Sequence, residues 1–219
     1  MRGRPPTGTG LNTRAPHRLA VEGLACSRGP ATLFRDVAFQ VEAGEWLAIR
    51  GPNGSGKTTL LRCVAGLTLA DRGRVLWDGQ PTRDEREAFN ADLLYAGHLA
   101  GIKDDLSAEE NLEGALRLRG QSPSTESTRA ALAEVGLEKR RNLPARRLSA
   151  GQRRRIGLAR LMLDPATCWI LDEPLTALDD AGCALFARLA TEHLERGGLV
   201  LAATHHDLAA SRTRELRLA

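Results

Sequence analysis

The sequence contains no apolar run that approaches the roughly 18 residues needed by a membrane-spanning helix. No apolar stretch follows the arginines near the N-terminus, so a secretory signal is not predicted. Cysteine is scarce: the 219 residues include four, and no two form a C-x-x-C pair, which argues against a zinc ribbon or a redox motif. Scattered single cysteines are typical of a reducing compartment.

Aromatic residues and lysines are also few. Aromatics make up 4% of the chain and none stands among the basic clusters, so the stacking platforms of a nucleic-acid surface are missing and no nucleic-acid partner is predicted. Only three of the 31 basic residues are lysine, and arginines cluster at positions 140–141, 146–147 and 153–155. We interpret these clusters as solvated helix or loop faces, with contact to anionic lipid or a membrane partner as the alternative.

Apolar residues (42%) and charged residues (26%) occur in the shares of an ordinary globular chain. Residues 1–17 are predicted to form a disordered tail, and residues 18–219 a folded domain. Strand and helix patterns alternate at both ends of this domain, whereas an insert of about residues 99–165 holds three helices, predicted to follow Ser107, Ser127 and Ser149. The pattern predicts an α/β core with a helical subdomain.

A phosphate-binding loop is the strongest motif. Residues 51–58 match G-x-x-x-x-G-K-[ST] in full, between a predicted strand and a predicted helix. Lys57 is placed to contact the β- and γ-phosphates of a nucleotide, and Thr58 offers a hydroxyl to Mg²⁺. The predicted ligands are Gly51, Pro52, Asn53, Gly54, Ser55, Gly56, Lys57, Thr58 and, by resemblance to other such loops, Thr59. The alternative is a glycine-rich turn before an ordinary helix.

Two carboxylates, Asp172 and Glu173, end an apolar strand pattern. Open α/β sheets place ligands at the carboxyl ends of their strands, so we expect both side chains beside the phosphate loop. Asp172 would hold Mg²⁺ directly or through water, and Glu173 would polarise the attacking water as general base. The alternative is a strand that ends in a polar turn.

Residues 148–152, Leu-Ser-Ala-Gly-Gln, lie between these motifs and resemble the LSGGQ signature of the ABC (ATP-binding cassette) ATPases, with alanine for the first glycine. The resemblance, which runs from about Leu19 to the C-terminus, implies a P-loop NTPase with a RecA-like core, an antiparallel β subdomain and a helical subdomain. It also implies a homodimer that sandwiches two ATP molecules head to tail. In such a dimer the γ-phosphate held by one chain meets four residues of the other: Ser149, Ala150, Gly151 and Gln152.

Two further positions match this family. Asp179 ends the D-loop, residues 177–179, which the resemblance places across the dimer interface near the nucleotide. His205 resembles the switch histidine that contacts the γ-phosphate. Together with His206 it could instead form a metal site, although no cysteine or third histidine stands at ligand spacing.

Two positions depart from the family pattern. His98 stands where the family usually has a glutamine, and we assign it as a partner of the γ-phosphate or of water; the alternative is a plain loop residue. The loop after the first strand has no aromatic ring to stack on adenine, so Arg28 is assigned that role through its guanidinium plane.

The segments around these motifs look like those of the ATP-binding subunits of haem exporters in bacterial cytochrome c maturation. This resemblance implies an ATPase that uses ATP and Mg²⁺, bound peripherally to integral membrane subunits at the cytoplasmic face of the inner membrane. It implies that hydrolysis is linked to release of a haem-loaded chaperone, with haem handled by the complex rather than by this chain. The ATPase of a lipid or lipoprotein exporter is the runner-up. A soluble ATPase acting on ribosomes or DNA and a nucleotide-holding module without turnover are the other rivals.

The same resemblance predicts a docking groove for a helix of a membrane subunit. We expect it at residues 98–105, with Leu106 and the helix from Ala108. Ile102 and Leu106 would be its apolar anchors.

Overall fold

The strands of the computed structural model form two sheets; the structure describes residues 17–97, 101–206 and 212–218. The strands are β1 (Arg18–Arg28), β2 (Ala31–Glu42), β3 (Trp46–Arg50), β4 (Arg72–Trp77), β5 (Gln80–Pro81), β6 (Leu93–Ala96), β7 (Cys168–Asp172), β8 (Leu199–Ala203) and β9 (Thr213–Arg217). A four-stranded antiparallel sheet has the order β2-β1-β4-β5, and a five-stranded parallel sheet has the order β6-β7-β8-β3-β9.

The α-helices of the described residues are α1 (Lys57–Val64), α2 (Arg86–Asp92), α3 (Ala108–Arg117), α4 (Thr125–Glu134), α5 (Ala150–Leu163) and α6 (Asp180–Glu195). Helices α3, α4 and α5 pack on one another as the predicted helical subdomain. Ser107 caps α3 and Ser149 caps α5, as the sequence predicts. The predicted start of α4 after Ser127 is wrong: Ser124 caps this helix by accepting from the Ser127 N–H, so α4 begins three residues earlier.

Alternate residues of the parallel strands face two separate cores. In β3, Trp46 and Ala48 belong to the core shared with the helical subdomain and α6, whereas Leu47 and Ile49 face α1 and the antiparallel sheet. Strands β7 and β8 are buried at every position for the same reason. The sheet is therefore covered on both faces, and its carboxyl edge is left for ligands.

The predicted α/β architecture, with an antiparallel β subdomain and a helical subdomain, is confirmed. His17, assigned to the tail from sequence, lies instead in the described domain: its ring stacks on Trp77, with centroids 5.0 Å apart, and its Nδ1 lies 2.9 Å from Asp78 Oδ2. Within the described residues, none of the helices combines the length and apolarity required to cross a membrane.

All four cysteines are free thiols, and they differ in burial. Cys26, Cys63 and Cys168 are buried, whereas Cys183, in the first turn of α6, is half-buried. Burial, together with the neighbouring Cys26, raises the pKa of the Cys63 thiol to about 12, and complete burial raises the pKa of Cys168. The thiolate is the reactive form, so these two thiols are poor nucleophiles at neutral pH.

Candidate active site

The phosphate loop joins β3 to α1, and its glycines adopt backbone conformations that disfavour residues with a side chain. Gly51 has a φ of +151°, and a Cβ there would lie 2.6 Å from the carbonyl oxygen of Leu218. Gly56, the N-cap of α1, has a φ of +93°. Lys57 Nζ donates to the carbonyl oxygens of Gly51, at 2.7 Å, and Pro52, at 3.1 Å, so the ammonium lies inside the loop. The loop therefore presents backbone N–H groups and one cation to the same space.

An open cavity of about 470 Å³ lies over this loop. It is lined by Arg28, Leu33, Asn53, Gly54, Gly56, Lys57, Thr58, Thr59, Asp172 and Glu173. The structure thus brings six of the nine predicted loop residues together with the predicted carboxylates and Arg28, while Gly51, Pro52 and Ser55 do not line the cavity and Leu33 was not predicted. Ser55, within the loop, is buried, and its hydroxyl has no hydrogen-bond partner among the described residues.

Asp172 is the last residue of β7 and is 2% exposed. Its Oδ2 accepts a hydrogen bond of 2.8 Å from Thr58 Oγ1. A hydroxyl and a carboxylate at this separation form a set of oxygen donors of the kind that hard divalent cations prefer. The two residues assigned to Mg²⁺ from sequence are therefore brought into direct contact.

Glu173 adopts a backbone conformation that is rare for a residue with a side chain. Its φ is +51°, and its N–H donates to the carbonyl oxygen of Ala203 at 2.9 Å. Such a conformation costs about 1–3 kcal/mol and persists only where the surroundings enforce it. Its Oε1 lies 3.6 Å from Nε2 of His205, so the predicted base and the predicted switch histidine are neighbours. His98 lies outside the described residues.

The signature, residues 148–152, begins α5 with a capping box. Ser149 Oγ accepts from the N–H of Gln152 at 3.2 Å, and Gln152 Oε1 accepts from the N–H of Ser149 at 3.0 Å. Ser149 and Ala150 are exposed, and none of the described residues that line the cavity comes from the signature. Gly151 packs on the D-loop of its own chain, because a Cβ there would lie 2.8 Å from the carbonyl oxygen of Ala177.

Asp179 has intrachain partners. It caps α6 by accepting from the N–H of Gly182 at 3.0 Å, and Arg155 Nη2 contacts both its carboxylate oxygens, at 2.7 and 2.8 Å. The hydrogen bond from Gly182 and the contact with Arg155 lower the pKa of Asp179 below its usual value. Its role towards nucleotide stays a prediction.

The interpretation of residues 153–155 as one solvated face is wrong for two of the three arginines. Arg153 keeps 38% of its side chain exposed and pairs with the exposed Asp104 at 3.2 Å, whereas Arg155 keeps 21% and Arg154 is half-buried. Arg154 donates to main-chain carbonyls around Asp172. A sequence signal existed, since Arg154 shares a helix face with the buried residues Leu158 and Leu161.

A second unpredicted arginine contacts the main chain on both sides of His205. Arg50, the last residue of β3, donates from Nη1 to the carbonyl oxygen of Thr204 at 3.4 Å and from Nη2 to that of His206 at 3.5 Å. It thereby holds the segment that carries His205.

Comparison with known proteins agrees with this geometry. The family model of ABC transporters matches residues 34–176. The cytochrome c biogenesis ATP-binding export protein CcmA of Haemophilus influenzae is 43% identical over 203 residues, which are 93% of this chain and 96% of that protein. CcmA of Pseudomonas aeruginosa is 45% identical over 195 residues, 89% of this chain and 96% of that one.

Among solved structures, a dimeric ATP-binding cassette in a post-hydrolysis state, bound to ADP and Pi, is similar in fold. Its TM-score is 0.79 at 22% sequence identity, and the match covers 91% of this chain and 96% of that chain. Since the family model matches more than half of the sequence and the CcmA relatives match nearly all of it, this chain belongs to the ABC transporter family as an ATP-hydrolysing subunit of the CcmA type.

Proposed function

We propose that this chain is the ATPase subunit of a bacterial membrane complex for haem export and cytochrome c biogenesis, in which hydrolysis drives release of a haem-loaded chaperone. The similarity to CcmA proteins over nearly the whole chain carries this proposal. The adjacent Glu173 and His205 side chains favour turnover over a module that merely holds nucleotide. In this complex haem is handled by other subunits.

The chemistry follows from the cavity over the phosphate loop. Lys57 and the loop N–H groups bind the β- and γ-phosphates of ATP. Thr58 and Asp172 would hold Mg²⁺, which when bound neutralises phosphate charge. Glu173 accepts a proton from the water that attacks the γ-phosphorus as the bond to the β–γ bridging oxygen breaks. His205 contacts the γ-phosphate from the neighbouring segment.

The remaining assignments complete the nucleotide site. Arg28 stacks on the base from the rim of the cavity, and His98 contacts the γ-phosphate or the attacking water. A homodimer supplies the signature of a second chain, because the exposed N-terminus of α5 offers N–H groups and Ser149 to an anion outside its own cavity. Asp179 lies beside this interface.

The membrane subunit docks at the segment before α3, with Leu106 and the exposed face of α3, at the cytoplasmic face of the inner membrane. At Gly101 this segment borders a cavity of about 290 Å³ between β6 and α5, which is lined by Leu94, Tyr95, Ala96, Gly97, Gly101, Arg154, Gly157, Leu158, Arg160, Leu161, Leu171, Pro174 and Phe186. Most of this lining is apolar, as an amphipathic helix requires. Ile102 is half-buried and packs against the core shared with the helical subdomain, so only part of its side chain is available as the proposed anchor. Leu106 is 39% exposed and remains the second proposed anchor.

Deletion of the gene in the source bacterium tests the function. We expect c-type cytochromes with covalent haem to disappear from haem-stained membranes and to return with the wild-type gene. Glu173→Gln keeps Lys57 and should bind ATP, but should hydrolyse it at least about 10²-fold more slowly and fail to restore the cytochromes. Normal cytochromes in the deletion strain, with a lipid or lipoprotein defect instead, would contradict the haem assignment.

Two exposed leucines test the docking surface in the same strain. Leu106→Asp should keep basal ATPase activity but lose fractionation with membranes. Leu118→Asp is the matched control, because Leu118 is 92% exposed and follows α3 at its C-terminal end, outside the proposed docking segment. Equal membrane binding by both variants would contradict this docking surface.

A further inference from the structure

The guanidinium of Arg154 reaches from the helical subdomain to the main chain of the hydrolytic residues. Its Nη2 donates to the carbonyl oxygens of Asp172, at 3.2 Å, and of Glu173, while its Nε donates to that of Pro174 at 3.3 Å. Its Nη1 donates to the carbonyl oxygen of Gly97, just beyond β6, at 3.4 Å. One side chain on α5 thus joins two of the loops that leave the sheet at its carboxyl edge.

The main chain that Arg154 contacts, residues 172–174, includes a residue in a strained conformation. Glu173 is in the left-handed region, with a φ of +51°, and a non-glycine residue stays there only when its surroundings over-determine it. Its N–H is fixed by Ala203, and its carbonyl oxygen accepts from Arg154 and, at 3.3 Å, from the N–H of Thr176. Because the side chain leaves from this backbone, its direction follows from these bonds.

Arg154 suits this task chemically. A guanidinium presents several donors in one rigid plane, so it can bond several carbonyl oxygens at once, whereas an ammonium cannot reproduce that geometry. Burial lowers the pKa of Arg154, but the carboxylates of Asp172 and Glu173 act in the opposite direction and favour its charged form. The cation is therefore kept beside the two acidic residues on which hydrolysis depends.

We propose that Arg154 is a positioning residue for ATP hydrolysis, which sets the direction of the Glu173 carboxylate through the main chain of residues 172–174. The inference rests on the proposed role of Glu173 as general base. It gives α5 two functions: its N-terminus faces the partner's nucleotide, and its next turn fixes the base of its own chain. A movement of the helical subdomain therefore reaches Glu173 through Arg154.

Arg154→Gln in the full chain removes the fork of donors. We expect the kcat of ATP hydrolysis to fall about 10- to 100-fold, as for a misplaced reacting group. The Kd of a fluorescent ATP analogue should change less than about threefold, because the phosphate loop is untouched. Arg154→Lys keeps the charge but not the fork and should recover only part of kcat. Arg153→Gln is the control, since this neighbouring arginine pairs with Asp104 at the surface, and it should keep wild-type kcat.

A double-mutant cycle with Glu173→Gln under single-turnover conditions decides how Arg154 acts. If it acts through Glu173, Arg154→Gln should lower the residual rate of the Glu173→Gln chain less than about twofold. If Arg154→Gln lowers the hydrolysis rate by the same factor in the wild-type and Glu173→Gln chains, the proposal is overturned. Loss of both folding and ATP binding in both Arg154 variants would also overturn it. Wild-type kcat in Arg154→Gln, beside an inactive Glu173→Gln, would overturn the positioning role alone. A Glu173→Gln chain with wild-type kcat would remove the proposed base and the positioning role together.

Discussion

His193 is a buried histidine on the inner face of α6. Its ring stacks on the indole of Trp169, with centroids 3.8 Å apart and planes at 11°. The chain passes so close that a Cβ at Gly198 would lie 2.2 Å from His193 Nε2. Burial lowers the pKa of His193 from 6.5 to about 4, so the ring is neutral in the folded chain at pH 7. The unfolded chain binds this proton more readily, which links the residue to acid stability.

The sign of the linkage follows from the lowered pKa. The folded state disfavours the charged ring, so stability is full above the unfolded pKa of about 6.5 and is lost as the pH falls towards the folded value. Between pH 7 and pH 5 we expect His193 to remove about 2 kcal/mol from the free energy of unfolding. His193→Phe keeps a ring against Trp169 but cannot titrate. Between pH 7 and pH 5 the free energy of unfolding of this variant should therefore fall by about 2 kcal/mol less than that of the wild type. Urea unfolding at both pH values measures the difference, and parallel losses would contradict it.

The N-terminus of α5 combines a structural and a chemical duty in Ser149. As a cap, Ser149 satisfies the N–H of Gln152; as part of the signature, it is proposed to meet the γ-phosphate of another chain. Helix α3 has the same capping box without the chemistry, since Ser107 accepts from the N–H of Glu110 at 3.1 Å. The two serines therefore form a matched pair.

A substitution to aspartate distinguishes the capping role of Ser149 from its proposed contact with the γ-phosphate. Aspartate is also a good N-cap, and its charge suits a helix N-terminus. Ser149→Asp should keep the free energy of unfolding within about 1 kcal/mol of wild type. It should nevertheless abolish ATP hydrolysis, because a carboxylate would oppose the γ-phosphate. Ser107→Asp should leave both properties unchanged. Calorimetry and a phosphate-release assay measure the two, and an active Ser149→Asp chain would remove Ser149 from the nucleotide site.

Elements with a strong local signal were predicted from the sequence, and the weak ones were not. The buried strands β3, β7 and β8 are apolar at nearly every position, so their pattern is visible without the structure. The strand β9 is polar and mostly exposed, and only its pairing with β3 makes it a strand. Helix α2 buries a single residue, Phe89, which is too little for a periodic signal.

The same limit applies to the site. The phosphate loop, Asp172 and Glu173 are contiguous motifs, so their chemistry is visible in the chain. The contact of Arg155 with Asp179, and that of Arg50 with the segment carrying His205, join residues far apart in sequence. No spacing rule connects such pairs, and they appear only once the sheet and the helical subdomain are folded together.

In the proposed dimer, each nucleotide lies between the phosphate loop of one chain and the signature of the other. The exposed Ser149 and Ala150 are positioned for such an arrangement. Gly151 is a poor site for testing it, because any side chain there would collide with Ala177 of the same chain. Ser149→Asp avoids this intrachain clash.

Mixing two inactive chains tests the composite site. A Lys57→Ala chain lacks the loop cation but has an intact signature, and a Ser149→Asp chain has the reverse. A dimer of one of each contains one competent site. After free exchange of equal amounts, we expect about a quarter of the wild-type phosphate-release rate per chain, because half of the dimers are mixed and each has one of two sites. A mixture as inactive as its components, with exchange confirmed by pull-down of a tagged chain, would contradict the head-to-tail arrangement.

The uneven burial of the thiols has a practical consequence. Three of the four cysteines are buried, and burial raises the pKa of two of these, whereas Cys183 sits half-buried in the first turn of α6, close to the D-loop. A dye or a nitroxide spin label that reacts with thiolates therefore attaches first at Cys183. The unmodified chain thus carries its own attachment point for a spectroscopic ruler, next to the surface where two chains are proposed to meet.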